Sequence, residues 1–150
     1  MGFLDNLKKG FTDARARASE EISRYKNKDV LQAIVAGCTY IAAADGEISS
    51  AEKSKMLGFL RSSPLTAIYG MDEVVKIFEE NSKRFEFDHD SGRIEALRII
   101  AKLKGKPEAG MLVRTCIVIG KADGDFDQNE RRAVGEIARE LDLNPADFDL

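Results

Sequence analysis

The chain has 150 residues, enough for one domain with a buried core. Its 43% hydrophobic and 33% charged residues are those of a folded soluble protein and exclude a disordered chain. Residues 1–28 carry seven Lys/Arg against four acids, so the net charge of −3 leaves −6 on the remainder, and an acidic body excludes nucleic acid as the main partner.

Residues 3–24 set Phe3, Leu4, Leu7, Phe11, Ala14 and Ala18 among charged positions, the pattern of an amphipathic helix with a basic polar face. Such a helix either touches a membrane surface through residues 1–25 or docks on its own bundle. Asp29 is expected to cap a helix over residues 30–45. Its apolar stripe of Ile34, Cys38 and Ile41 runs on to Asp45 in steps of four, three and four residues, all on one helical face. Gly46 is expected as the left-handed C-terminal cap. Ser49 then opens a helix, and Glu52 three residues on completes a capping box. Met56, Leu57, Phe59 and Leu60 form the buried face of that helix, and Ser62-Ser63-Pro64 stops it.

Residues 66–83 read as one or two helical segments interrupted near Gly70. Phe85, Phe87 and Asp88-His89-Asp90 read as a non-helical connection with a solvated His89. Helical spacing returns over residues 92–103, Gly105-Lys106-Pro107 breaks it, and helices over 108–123 and 128–142 follow. Asn144 caps a last short turn that begins at Pro145. Strand alternation is absent, no apolar run approaches the ~18–20 residues that cross a bilayer, and no signal-peptide pattern opens the chain. The expectation is an all-α, cytosolic, single domain over residues 1–150, a bundle of about seven helices.

One motif occurs twice. Ala44-Asp45-Gly46-Glu47-Ile48-Ser49-Ser50-Ala51-Glu52 returns as Ala122-Asp123-Gly124-Asp125-Phe126-Asp127-Gln128-Asn129-Glu130, 78 residues later. The same offset pairs Lys28 with Lys106, Cys38 with Cys116, Arg61 with Arg139 and Leu65 with Leu143. An internal repeat of this kind predicts two pseudo-symmetric helix–turn–helix halves, residues 29–65 and 107–143, behind a basic amphipathic segment at residues 1–28.

Asp45 and Asp123 are expected to end helices, where the macrodipole disfavours a carboxylate by some tenths of a kcal/mol. They extend apolar stripes, and Glu52 and Glu130 precede buried positions at i+4 and i+7. Two hairpins packed about a pseudo-twofold axis bring Asp45, Glu52, Asp123 and Glu130 together, with Glu47, Asp125 and Asp127 as additional acids. Like charges gathered at a partly buried site call for protons or a cation, and an all-oxygen set suits Ca²⁺, Mg²⁺ or Mn²⁺ better than zinc. A plainer reading also fits: Ser49-x-x-Glu52 and Asp127-x-x-Glu130 are good capping boxes, and Asp-Gly is an ordinary turn dipeptide. The second copy is not an EF-hand loop. Counted from Asp123, position six is Gln128 where glycine is required, and position twelve is Val134 where glutamate is required.

Cys38 and Cys116 hold matched places on the apolar stripes. There they read as small buried hydrophobes, with thiol chemistry as the alternative and no activating base in view. In a reducing compartment they are free thiols rather than a bridge. No phosphate loop, nucleophile elbow or zinc spacing is present, so no catalytic residue is assigned.

On these residues the chain resembles the TerB family of tellurite-resistance proteins. The resemblance is carried by Phe3-Leu4-Asp5-Asn6-Leu7-Lys8, by Arg24-Tyr25-Lys26-Asn27-Lys28, by the stretch from Glu52 to Ser63, by the ending Asn144-Pro145-Ala146-Asp147-Phe148, and most specifically by the doubled Ala-Asp-Gly motif. It implies an all-helical, non-enzymatic, bacterial cytosolic protein of a tellurite-resistance and stress-response system. It also implies an acidic surface, Asp45, Glu52, Asp123 and Glu130 here, that binds a divalent metal ion or docks a partner protein. The implied partners are other tellurite-resistance proteins, namely a membrane component and TerD-like calcium-binding proteins.

Overall fold

Two segments of the chain are apolar on nearly every side, and such helices must be enclosed. They are α2, Lys28–Ala42, and α7, Glu108–Gly120. The computed structural model describes residues 3–25, 27–122 and 126–150, with side chains from Thr12 onward. Around the two central helices lie α1 (Phe3–Arg24), α3 (Ser50–Arg61), α4 (Pro64–Tyr69), α5 (Met71–Phe87), α6 (His89–Ile100) and α8 (Gln128–Glu140). Short 3-10 turns at Ala101–Leu103 and Pro145–Phe148 complete the order. The fold is all-α, with eight helices and no strand among the described residues.

α2 packs against α5, α6 and α7, and more lightly on α3 and α8. Ile34, Ile41, Met56, Phe78, Ile100, Leu103, Met111 and Leu112 are fully buried between these helices. Each such side chain contributes about 1.5–3 kcal/mol by leaving water. From Thr12 onward, α1 spends its apolar face on this bundle: Ala18 and Ile22 are buried, and Glu21 takes a bidentate pair from Arg114 of α7.

Several boundaries differ from the sequence reading. Asn27, not Asp29, caps α2, its Oδ1 accepting from Val30 N at 2.9 Å, while Asp29 sits in the first turn where the positive helix end favours it. The same helix stops at Ala42, three residues before Asp45. Ala44 N bonds Ile41 O and Gly46 N bonds Ala43 O, so tight turns replace the helical ladder before the aspartate is reached. Gly46 has φ +102°, which calls for glycine, but it lies in the turn rather than at the helix cap.

The largest difference is at residues 85–90. No loop exists there: Asp88 alone separates α5 from α6. It caps α6 through Ser91 N at 3.0 Å. A Cβ on Gly92 would meet the Phe85 backbone at 2.7 Å, so glycine lets α6 fold back directly on α5. That closeness sets His89 against the Phe85 ring, with centroids 5.5 Å apart.

Candidate functional site

The two hairpins, α2–turn–α3 and α7–turn–α8, both begin their second helix with a side-chain cap. Ser49 Oγ accepts from Glu52 N at 3.1 Å, and Asp127 Oδ1 accepts from Glu130 N at 2.8 Å. Each cap fixes the glutamate three residues later in the first helical turn, pointing back toward the hairpin turn. Where the hairpins meet, Asp45, Glu52, Asp127, Asn129 and Glu130 line one cleft, floored by Ile41 and Ala44. Its volume is about 10 Å³, close to what one water-sized sphere needs.

Glu130 is the chemically unusual member. Only 8% of it is exposed, and its Oε2 is buried without a hydrogen bond. Burial pushes its carboxyl up to about 7; the Lys55 charge and a hydrogen bond from the Asp127 backbone oppose this, and the charges of Asp127 and Glu52 add to it. Lys55 Nζ stands 3.6 Å from that oxygen, and its side chain is only 13% exposed. Four acids, Asp45, Glu52, Asp127 and Glu130, thus line one cleft, with Lys55 as the cation paired to Glu130.

The sequence-derived residues are distributed as follows. Asp45, Glu52 and Glu130 come together, joined by Asp127. Glu47 does not reach them; it lines a separate recess with Glu86 and His89. Asp123 and Asp125 lie outside the described residues. Among the described residues, no group of three or more His, Cys, Asp or Glu is arranged to hold a metal ion. The cleft therefore offers the oxygen chemistry of a hard-cation site without a closed ligand cage. Lys55 and Asn129 were not singled out from the sequence, although Lys55 stands three residues after Glu52 on the same helical face.

Cys38 and Cys116 are free and wholly buried. Burial raises both thiols, Cys116 to about 12, and the proximity of Cys116 raises Cys38 further. Thiolate chemistry is suppressed at both positions. His89 is largely exposed, yet its ring is anchored: Nε2 donates to Ala43 O at 3.1 Å. Among the described residues no helix is long and apolar enough to cross a membrane.

Fold and cleft together define an all-helical bundle module whose two hairpin turns present carboxylates at one point. The family model described as tellurite resistance protein TerB matches residues 31–150. A tellurium resistance protein TerB from Alcaligenes sp. is 40% identical over 112 residues, covering 75% of this chain and 92% of that protein. No solved structure matches the chain. The chain belongs to the TerB family.

Proposed function

We propose that the chain serves tellurite resistance as a non-enzymatic module that binds a divalent cation in the cleft between its two hairpins. The observation that carries this reading is the buried Glu130 carboxylate, set among Asp45, Glu52 and Asp127 with Lys55 as near counter-charge. Gathering these acids is unfavourable unless a cation or a proton offsets their repulsion. Asp45, Glu52 and Glu130 are the proposed ligands, with Asp123 as the fourth, and the oxygen set favours Ca²⁺, Mg²⁺ or Mn²⁺ over Zn²⁺. The cation would tie the two hairpin turns together and alter the surface they present to other proteins of the resistance system.

A second reading is favoured by Lys55 itself. Its ammonium group already stands where a cation would be useful, so the acids can serve as a docking face for a basic partner without any metal. Calorimetric titration of chelator-stripped full chain with Ca²⁺, Mg²⁺, Mn²⁺ and Zn²⁺ separates the two. The cation reading expects saturable binding of one of the first three, weakened about tenfold or more in Asp45→Asn/Asp123→Asn. Absence of binding, or equal binding by that double variant, would leave the docking face.

A further inference from the structure

Lys55 occupies the ground that a bound cation would need. It rises from α3 of the first hairpin and sets its Nζ 3.6 Å from Glu130 Oε2 on α8. Its side chain is only 13% exposed and that of Glu130 only 11%. The separation is beyond hydrogen-bond reach, so charge alone holds this contact. Glu130 Oε2 keeps its acceptor capacity, since it is buried and accepts no hydrogen bond. Such an acceptor, in a residue only 8% exposed on the wall of the acidic cleft, marks a place for a donor or a cation.

The cleft cannot take both cations. Its volume is about 10 Å³, room for about one water-sized sphere. A hard divalent ion takes carboxylate oxygens at about 2.0–2.6 Å, closer than the ammonium group stands. An ion on Glu130 Oε2 would therefore face the Lys55 ammonium as a near like charge, in a partly buried place where such repulsion is strong. Lysine can yield, because its ammonium rides on a flexible four-carbon stem. The wall that carries it is also the more lightly held one. Only Met56, Phe59 and Leu60 of α3 are buried, against six residues of α8.

We propose that Lys55 is a built-in gate on the cation site, a tethered counter-ion that must be expelled from the cleft before a divalent cation can enter. The inference rests on the cation reading and adds its regulation. A tethered group competes at an effective concentration on the order of millimolar, so a scarce or weakly bound cation loses to it. Loading exchanges a single charge for a double one inside the cleft and turns the ammonium group outward on α3. The loaded and the Lys55-filled states then present different charge patterns to a partner protein, which makes the cleft a two-state element.

Two measurements on the full chain test the gate. In the first, chelator-stripped parent, Lys55→Met and Lys55→Arg are titrated by calorimetry with Ca²⁺, Mg²⁺ and Mn²⁺ at pH 8, above the Glu130 carboxyl at about 7. Lys55→Met should bind the preferred cation about tenfold or more tightly than the parent, because the competing charge is gone. Lys55→Arg, which keeps that charge, should bind no better than the parent. In the second, acetylation of Lys55 in the parent by an N-hydroxysuccinimide ester is followed by mass spectrometry, with and without saturating cation. Its rate should rise toward that of the exposed Lys102 once the cation is bound. This measurement needs no variant, so a loss of stability in Lys55→Met does not obscure it. Binding by Lys55→Met alone would be the expected result at its strongest. Equal affinity in all three proteins, or a Lys55 rate unmoved by bound cation, overturns the gate and leaves the cation reading standing. No saturable heat in any of the three overturns both.

Discussion

Matched 78 residues apart, the two hairpins begin α3 and α8 with the same kind of cap, Ser49 in one and Asp127 in the other. They part company on either side of the cap. Lys55 of the first hairpin corresponds to Ala133 of the second, and Ala42 of the first corresponds to Gly120 of the second. Glu130 is consequently the more buried acid, hemmed by the charge of its own cap, while the cation that steadies it comes from the other hairpin. A shared turn sequence therefore does not give shared electrostatics. Each hairpin brings acids to the cleft, Asp45 and Glu52 from the first and Asp127 and Glu130 from the second, and the first also supplies the counter-charge of Lys55.

Breaking that arrangement at Lys55 should have the largest effect. The carboxyl of Glu130 titrates at about 7 in the fold against an ordinary value of 4.5, so the folded chain holds a proton that the unfolded chain has released between these values. A raised carboxyl favours the fold at low pH, and that contribution is lost as pH rises through about 7. Lys55→Met removes the opposing charge and raises Glu130 further. It should cost about 3 kcal/mol at pH 8, where a buried charge loses its partner, and about 1 kcal/mol or less at pH 6, where the carboxyl keeps its proton. Urea unfolding at the two pH values measures this, and an equal loss at both would show that Lys55 acts only through packing.

Next in size is the turn of the second hairpin. A Cβ on Gly120 would meet the Phe126 ring at 2.6 Å, whereas the first hairpin has Ala42 and Ile48 at the matched positions. In an ordinary helix Gly→Ala stabilises by about 0.5–1 kcal/mol. Gly120→Ala should instead cost about 2 kcal/mol, because the ring must leave its place. Adding Phe126→Ile recreates the pair used by the first hairpin and should restore most of that loss, with a coupling of about 1 kcal/mol or more in a double-mutant cycle. Strict additivity of the two changes would mean the ring and the glycine do not interact.

These contrasts show which parts of the molecule the sequence could disclose. Caps at Ser49, Asp127 and Asn144 were legible because a side chain reaching two or three residues along its own chain is a local event. The apolar stripes of α2 and α7 were legible for the same reason, since helical period is local. The single-residue junction at Asp88 was not, because it depends on Gly92 closing against the Phe85 backbone, a contact that exists only once two helices are packed. Lys55 was passed over because its partner sits on a helix from the other hairpin. Nor could the cavity lined by Tyr40, Phe85, Arg93 and Glu136 be foreseen, because its walls come from α2, α5, α6 and α8 and meet only once those helices are packed.

The smallest expected effect isolates charge from capping. Ser49→Ala should cost about 1 kcal/mol by leaving Glu52 N without its acceptor, and little else should change. Asp127→Asn is the sharper probe, because Asn caps a helix as well as Asp does. Stability should stay within about 0.5 kcal/mol of the parent near neutral pH, since the cap survives and one repulsion in the cleft is relieved. The carboxyl of Glu130 should titrate lower, because Asp127 raises it through charge. Carboxyl-resonance NMR titration of both variants reads the difference directly. A Glu130 carboxyl that moves in Asp127→Asn but not in Ser49→Ala would show that the second hairpin makes its own charged cleft, with the cap as part of it. If neither variant moves it, burial alone sets the titration of Glu130, and the two hairpins differ only in how deeply they bury the same glutamate.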